Sequence, residues 1–483
     1  MKSVKTNYIL NLINTGTQVL LPLISFPYAS RILFADGIGQ VNFFASIITY
    51  ISLFSCLGIP MYGIREIARV RDDAKLMSKT ATEIMLLHAG LTIVGYLIVA
   101  VLCLFVPKIN TDIPLFLLLS LTILFTAIGC EWFYQGIEDF KYITIRGIIV
   151  KTLGLLYLFL FVKTKEDILQ YAFFTVFGIL GGNIFNFFRL RKYIHFSDII
   201  RKDLLPLKHL KPALKVFAFT IITGIYIQLN TVILGFVHNN EAVGYYTASM
   251  KIIMPIMTLS TALYMAMLPR LSNFVANKDW DNFRIMSQKT YDFSIATTLP
   301  ASLGLIFVSP YVMRILAGPY FESSILVCQI MAFSILFLAC SSAMGTQILF
   351  ALGKMNLVVR CVLIGSIVDL LACFVFIPKL AFNGAAIAYL LAEFSVMFSM
   401  FFIGRRDLPI KYIKRNILVY LLATLAMGIV LWIIQQNIHL NDWLMLTIMA
   451  LTGIVVYALV IICCKDEYAM TIIKALKTKF IKH

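Results

Sequence analysis

Charge is scarce in this chain and acidic charge scarcer still: 13% of its 483 residues are charged, with 24 Asp+Glu against 41 Lys+Arg. The longest polar interruption is the 27 residues 189–215, which leaves no room for a soluble catalytic domain. The six His, at 88, 195, 209, 238, 439 and 483, have no ligand spacing, and no zinc motif or nucleophile elbow is present. No Walker A sequence occurs, so ATP hydrolysis is unsupported. The nine Cys (56, 103, 130, 328, 340, 361, 373, 463 and 464) form no CxxC pair and fall in or beside apolar runs, where thiols act as small buried hydrophobes. These absences argue against a metal centre, a nucleotide loop and a separate catalytic domain; neither a metal nor a cofactor is expected.

What is present is hydrophobic length. The composition is 60% hydrophobic with mean hydropathy +0.89, and runs of roughly 20 apolar residues, enough to span a bilayer as helix, recur about fourteen times. Hydropathy predicts spans at 8–33, 38–59, 81–106, 114–132, 143–162, 168–188, 214–236, 244–268, 291–316, 323–350, 356–377, 384–403, 417–435 and 443–464. The fold class is an all-α polytopic membrane protein. Its opening, Met1–Thr6 with Lys2 and Lys5, imitates a signal peptide, but the apolar run that follows far exceeds an h-region and no A-x-A-like site closes it; we read it as an uncleaved first span.

The formal charge of +17 and pI near 9.4 would suggest nucleic acid in a soluble protein. Here about 32 of the Lys and Arg fall in the N-terminus, the even-numbered connections and the C-terminus, the asymmetry that marks the cytoplasmic side. The rich connections are 65–79, 189–215, 270–289, 405–415 and 465–482. Both termini are therefore expected in the cytoplasm, and no nucleic-acid partner is expected.

An internal echo divides the chain. Asp36-Gly37-Ile38-Gly39 opens the second span as Glu241-Ala242-Val243-Gly244 opens the eighth; Arg65 and Arg270 follow at the same offset, and the fifth and eleventh spans carry early arginines, Arg146 and Arg360. Two six-helix halves in one orientation follow, with a substrate site between them near the midplane. The expected organisation is a first lobe with its basic linker at 1–212, a second at 213–404, and two additional helices with a basic tail at 405–483.

The stretch Pro22-Leu23-Ile24-Ser25-Phe26-Pro27-Tyr28 with Ser30-Arg31-Ile32-Leu33, then Gly37-Ile38-Gly39, Gly58-Ile59-Pro60 and Tyr62-Gly63-Ile64-Arg65-Glu66-Ile67-Ala68, closely resembles Wzx-type O-antigen flippases of the polysaccharide transport family. Glu131-Trp132-Phe133-Tyr134-Gln135-Gly136-Ile137-Glu138 and Ala242-Val243-Gly244-Tyr245-Tyr246-Thr247-Ala248 extend the likeness into both halves. The resemblance implies the multidrug/oligosaccharidyl-lipid/polysaccharide exporter superfamily, with two six-helix lobes in a V, like the MATE exporters, and alternating access. The implied cargo is an undecaprenyl-pyrophosphate-linked oligosaccharide, moved from the cytoplasmic to the periplasmic leaflet of the inner membrane. Membrane lipids, and a polysaccharide polymerase with its chain-length regulator, are the further partners it implies.

Such a cargo needs a wet groove, because unpaired polar groups in hydrocarbon cost several kcal/mol each. Ionisable residues at membrane depth are the first candidates to line it. Lys151 and Lys251 read as anion contacts or structural ion pairs. Arg146 lies five residues from Lys151 and points about 140° away on an ideal helix, so the two need not serve one cavity. Asp369 and Glu393 read as counter-ions for the lysines or as proton-coupling carboxylates. Arg31 and Arg314 sit near outer span ends, as interfacial anchors or release contacts. Arg65 and Arg270 sit at inner mouths, where guanidinium would meet pyrophosphate, with ordinary positive-inside charge the plainer reading. Gln228 and Asn230 would bond sugar hydroxyls or neighbouring helices equally well. Glu131, a further counter-ion candidate, shares a helix face with Gln135, and Trp132 and Tyr134 beside it fit an interface belt. Gly178 and Gly182 read as a close-packing pair.

Three classes compete: the lipid-linked oligosaccharide flippase, a cation-coupled drug or small-solute exporter of the same superfamily, and a membrane polysaccharide polymerase. The motifs favour the first, and the short outer connections disfavour the third.

Overall fold

The computed structural model describes residues 4–194, 203–265, 267–411 and 415–465. Parts of three predicted basic connections, 195–202, 412–414 and 466–483, lie outside the described residues, as do Met1–Ser3 and one residue of the eighth span. Everything described that is regular is helical. The elements are α1 (Val4–Cys56), α2 (Ile59–Val70), α3 (Ala74–Phe105), α4 (Pro107–Asn110), α5 (Ile113–Gly129), α6 (Glu131–Gly136), α7 (Phe140–Phe161), α8 (Ile168–Leu180), α9 (Gly182–Leu190), α10 (Leu210–Val237), α11 (Asn240–Met265), α12 (Leu268–Ala276), α13 (Trp280–Leu316), α14 (Ser323–Ser342), α15 (Met355–Gly404), α16 (Arg415–Asn437) and α17 (Asp442–Cys463).

Each predicted span falls on helix, and ten helical stretches among the described residues are long and apolar enough to cross a membrane. Two helices are about twice the needed length. At 1.5 Å per residue the 53 residues of α1 would reach about 80 Å, against about 30 Å of hydrocarbon. Each is broken at one residue of positive φ, Phe34 (φ 56°) in α1 and Ala381 (φ 47°) in α15, at the junctions of spans 1 and 2 and of spans 11 and 12. Beyond the second break Gly384 lies against the backbone of Phe376 and Ile377, so the chain doubles back within a few residues.

The basic connections differ from the expected loops. Residues 59–70 and 268–276 form α2 and α12, each entered through a proline. The amphipathic α2 buries Ile59, Tyr62 and Ile67 and turns Arg65 and Arg69 outward. Helices α3 and α13 begin well before the hydropathy edge because aspartates cap them: Asp73 accepts from the backbone N–H groups of Lys75 and Leu76, and Asp279 from that of Asn282.

By contact density the chain forms two compact units, Met1–Gly244 and Tyr245–His483. Helix α10, which opens the second lobe in the sequence reading, lies in unit 1 and packs on α1 and α2. Just past the kink in α1, its backbone meets the start of α11 at two glycines within this unit. A Cβ on Gly39 would stand 1.7 Å from the Asn240 carbonyl oxygen, and one on Gly244 would stand 2.0 Å from that of Ala35. The two echo segments thus meet each other, with the exposed carboxylates of Asp36 and Glu241 close enough to repel. Lys108 donates to the His238 carbonyl beside this contact, and Gln40 Nε2 donates to Asp112 Oδ2 (3.1 Å).

In unit 2 the last two helices, for which hydropathy offers no role, pack on each other and on α13. Met427, Leu431, Met445 and Met449 form a buried cluster against Leu303 and Phe307, and the Tyr457 hydroxyl donates to the Ala296 carbonyl (2.6 Å). Toward α14, α13 buries Ser294, Thr298, Ser302 and Ser309, small residues that let helices approach in lipid. Leu104, Phe105, Leu160, Leu451 and Ile454 are largely exposed, an apolar exterior suited to hydrocarbon rather than water.

Candidate functional site

A charged arrangement within predicted spans lies in unit 1, where span 4 is interrupted. It breaks at Cys130 (φ 42°), between α5 and α6, beside the junction of α8 and α9 at Gly181, where the backbone stays helical. Discontinuous helices leave backbone groups to be satisfied by side chains and mark ligand sites in transporters. Asn186 Nδ2 takes the carbonyl of Gly129 (2.7 Å), and Asn183 Nδ2 that of Phe125 (2.9 Å). The two asparagines, three residues apart on one face of α9, stitch it to the end of α5.

Arg146 enters this joint from α7. Its Nη2 donates to Glu131 Oε1 at 2.6 Å and its Nη1 to Asn183 Oδ1 at 3.0 Å. The guanidinium lies along Gly182, where a Cβ would stand 3.1 Å from Arg146 Nε. The arginine side chain is 10% exposed and that of Glu131 43%, so the pair is open on the carboxylate's side. Lys151, buried on the same helix, donates to the Thr17 hydroxyl of α1 (2.8 Å), and its charged neighbours are Glu131 and Arg146. Arg146 and Lys151 therefore share one field, with Glu131 the carboxylate that acts on both, despite their divergent directions on the helix. Two positive charges against one negative leave the joint net positive, suited to an anion.

The described residues hold no cluster of three or more His, Cys, Asp or Glu able to bind a metal ion. Two clefts, of about 490 and 330 Å³, are lined by apolar side chains such as Ile93, Leu97, Leu153 and Phe173 and do not include the charged joint.

Comparison with known proteins gives this arrangement a context. The family model described as "Polysaccharide biosynthesis protein" matches residues 4–275, more than half of the chain. The chain belongs to that family. Two proteins named "Putative O-antigen transporter", from Shigella dysenteriae and Escherichia coli (strain K12), are each 24% identical to this polysaccharide biosynthesis protein over 396 residues, covering 82% and 81% of the chain and 98% and 94% of theirs. Among solved structures, the lipid II flippase MurJ in an inward closed conformation superposes with a TM-score of 0.74 at 17% identity, covering 95% of this chain and all of its own. An inward-facing MATE-family multidrug resistance transporter of the MOP superfamily gives 0.64 at 14% identity, covering 82% and 98%. The chain is thus a multi-pass membrane protein by its apolar helices, and it shares the fold of these two structures.

The other sequence-predicted residues of this family member are dispersed. Arg31 donates to the Pro27 carbonyl one turn back in its own helix. Arg65 is exposed, paired with Glu66 at 3.0 Å and lying over the Tyr62 ring. Arg270 is exposed on α12. Gln228 is half-buried on α10 and Asn230 fully buried there. In unit 2, Lys251 is half-buried on α11 and makes no ion pair among the described residues, while Asp369 and Glu393 on α15 are wholly buried. The Cys373 thiol and the Tyr246 phenol are neighbours of Asp369. Arg314 reaches Asp442 (3.4 Å) and Glu322 (3.5 Å), tying α13 to the start of α17.

Three readings change. Trp132 and Tyr134 form no interface belt: both are buried in a core with Ile67, Ile84 and Phe133, and the Tyr134 hydroxyl donates to the Asn186 carbonyl (2.6 Å). Of the glycine pair, Gly178 does meet a neighbouring helix, at Gly154, but Gly182 makes room for Arg146. Glu83, Tyr62 and His209 escaped attention and form a buried network: Glu83 accepts from His209 Nε2 (3.0 Å), the Leu205 backbone N–H (3.0 Å) and Lys208, and Tyr62 bonds His209 Nδ1 (2.6 Å). It fastens the segment before α10 to α2 and α3. Its signal in the sequence was a lone glutamate just inside an apolar run.

Proposed function

We propose that this protein carries an undecaprenyl-pyrophosphate-linked oligosaccharide, an O-antigen or capsule repeat unit, from the cytoplasmic to the periplasmic leaflet of the inner membrane by alternating access. The observation that carries the reading is the positive joint of Arg146 and Lys151 beside the helix break at Cys130, in a chain of the polysaccharide biosynthesis family. A pyrophosphate needs charged donors in a site withdrawn from water, and guanidinium supplies them in a fork. In this reading Lys251 and Arg270 are the anion contacts of the other half, Gln228 and Asn230 meet sugar hydroxyls, and Arg65 lies at the entry. Asp369 and Glu393 are the proton-coupling candidates. The lobes at 1–212 and 213–404 are the moving bodies, both termini are cytoplasmic, and a polymerase and chain-length regulator take the product.

The test is deletion in the native host, followed by measurement of which leaflet holds the undecaprenyl-linked repeat unit. Units accumulating on the cytoplasmic face, and restored by the wild-type gene, are expected. Unchanged distribution and surface glycan, with drug sensitivity instead, would replace this reading with that of a cation-coupled exporter.

A further inference from the structure

The carboxylate of Glu131 occupies the place on Arg146 that an anionic ligand would need. It lies at the open side of the pair, 43% exposed, while the guanidinium behind it is 10% exposed. The second support of Arg146 differs in kind. Asn183 is buried, its amide nitrogen is committed to the Phe125 carbonyl, and a Cβ at Gly129 would stand 2.4 Å from that nitrogen. Its oxygen is thereby fixed toward Nη1. One partner of the arginine is bolted to the helix joint; the other is a partly exposed side chain at its edge.

We propose that Glu131 is a built-in stand-in for the phosphate of the cargo, and that Asn183 is the positioning residue that keeps Arg146 aimed when the stand-in is displaced. The inference rests on the head-group reading above. With the site empty, Glu131 neutralises Arg146, which would otherwise be a buried charge without a counter-ion. An arriving pyrophosphate oxygen takes Nη2, Glu131 swings toward water, and Lys151, already in the same field, gains a second anion to face. On release Glu131 returns. The ligand therefore competes with an internal carboxylate at every binding event, which limits its affinity and keeps the site from trapping its cargo. No bond is made or broken beyond hydrogen bonds and ion pairs.

The experiment is binding of inorganic pyrophosphate to the full-length protein in lipid nanodiscs, by calorimetry, with melting temperature recorded for each variant. Glu131→Gln keeps the shape and one acceptor but removes the competing charge; binding about two- to fivefold tighter than wild type is expected, within the range for a partly exposed ion pair. In reconstituted flipping the same variant lowers both KM and turnover, because release slows. Glu131→Asp restores the charge and returns both values toward wild type. Asn183→Asp, which adds a fixed second carboxylate, weakens pyrophosphate binding more than Asn183→Leu does. Wild-type binding with Glu131→Gln equal or weaker would overturn the proposal and leave the head-group reading standing. Absence of pyrophosphate binding in wild type and in Arg146→Gln alike would remove the head-group reading of this joint, and the stand-in with it.

Discussion

The two units differ in the charge they hold within predicted spans, although both bury carboxylates, Glu83 of unit 1 being paired with Lys208 and His209. Unit 1 places cations there, Arg146 and Lys151, and supports them with Glu131, Asn183 and Thr17 within 3.0 Å. Unit 2 buries carboxylates, Asp369 and Glu393 on α15, at 0% and 1% exposure, and leaves Lys251 without an ion pair among the described residues. A positive joint that is partly open suits a large anion that comes and goes. A buried carboxyl with a thiol and a phenol for neighbours, as Asp369 has in Cys373 and Tyr246, suits a proton, which is small enough to reach it without rearrangement. Under the proposed function the first would handle the anion and the second the proton, each in its own unit.

The largest expected effect breaks the cationic side of this contrast. Arg146→Ala removes two charge-assisted bonds and leaves Glu131 and Asn183 facing a void, a loss of about 2–3 kcal/mol by denaturation together with loss of leaflet transfer; Arg146→Lys should not restore transfer, because an ammonium cannot fork between Glu131 and Asn183. Next comes the carboxylate side. Asp369→Asn and Glu393→Gln preserve shape, so both should fold, and at least one should make transfer insensitive to a collapsed proton gradient; if both variants remain gradient-dependent, the division of labour is wrong. Lys151→Met is expected to lower stability by about 1 kcal/mol through its bond to Thr17 and to weaken pyrophosphate binding. Thr17→Val should reproduce the stability change with less effect on binding, which separates the brace from the charge. The smallest effect is Arg314→Ala: its ion pairs at 3.4 and 3.5 Å are partly exposed and should contribute no more than about 0.5 kcal/mol, with transfer intact.

Hydropathy made the spans legible because a bilayer imposes a length, and even the broken helices were readable as two spans each. It missed α2 and α12, since arginines on one face of a short helix lower the mean while leaving the helical period intact. It also placed the starts of α3 and α13 too late, because helices capped by Asp73 and Asp279 project beyond the hydrocarbon. The candidate site was half legible. Arg146, Lys151 and Glu131 stood out as charges in apolar surroundings, but helix direction alone set Arg146 and Lys151 apart, whereas the turn between α6 and α7 brings Glu131 onto Arg146 and within the field of Lys151. Asn183 and Thr17 gave no signal, being neutral residues common in spans. Pairing across 15 to 134 residues of chain is a property of the fold, not of local pattern.

The meeting of Gly39 with Gly244 also sets what mutation can do there. Where side chains crowd one another, a neighbour can often be admitted by a change of rotamer. Here backbone meets backbone, the place of a Cβ on Gly39 being taken by the Asn240 carbonyl and that of a Cβ on Gly244 by the carbonyl of Ala35. A methyl at either position can be admitted only by moving main chain, so the contact tolerates nothing larger than glycine.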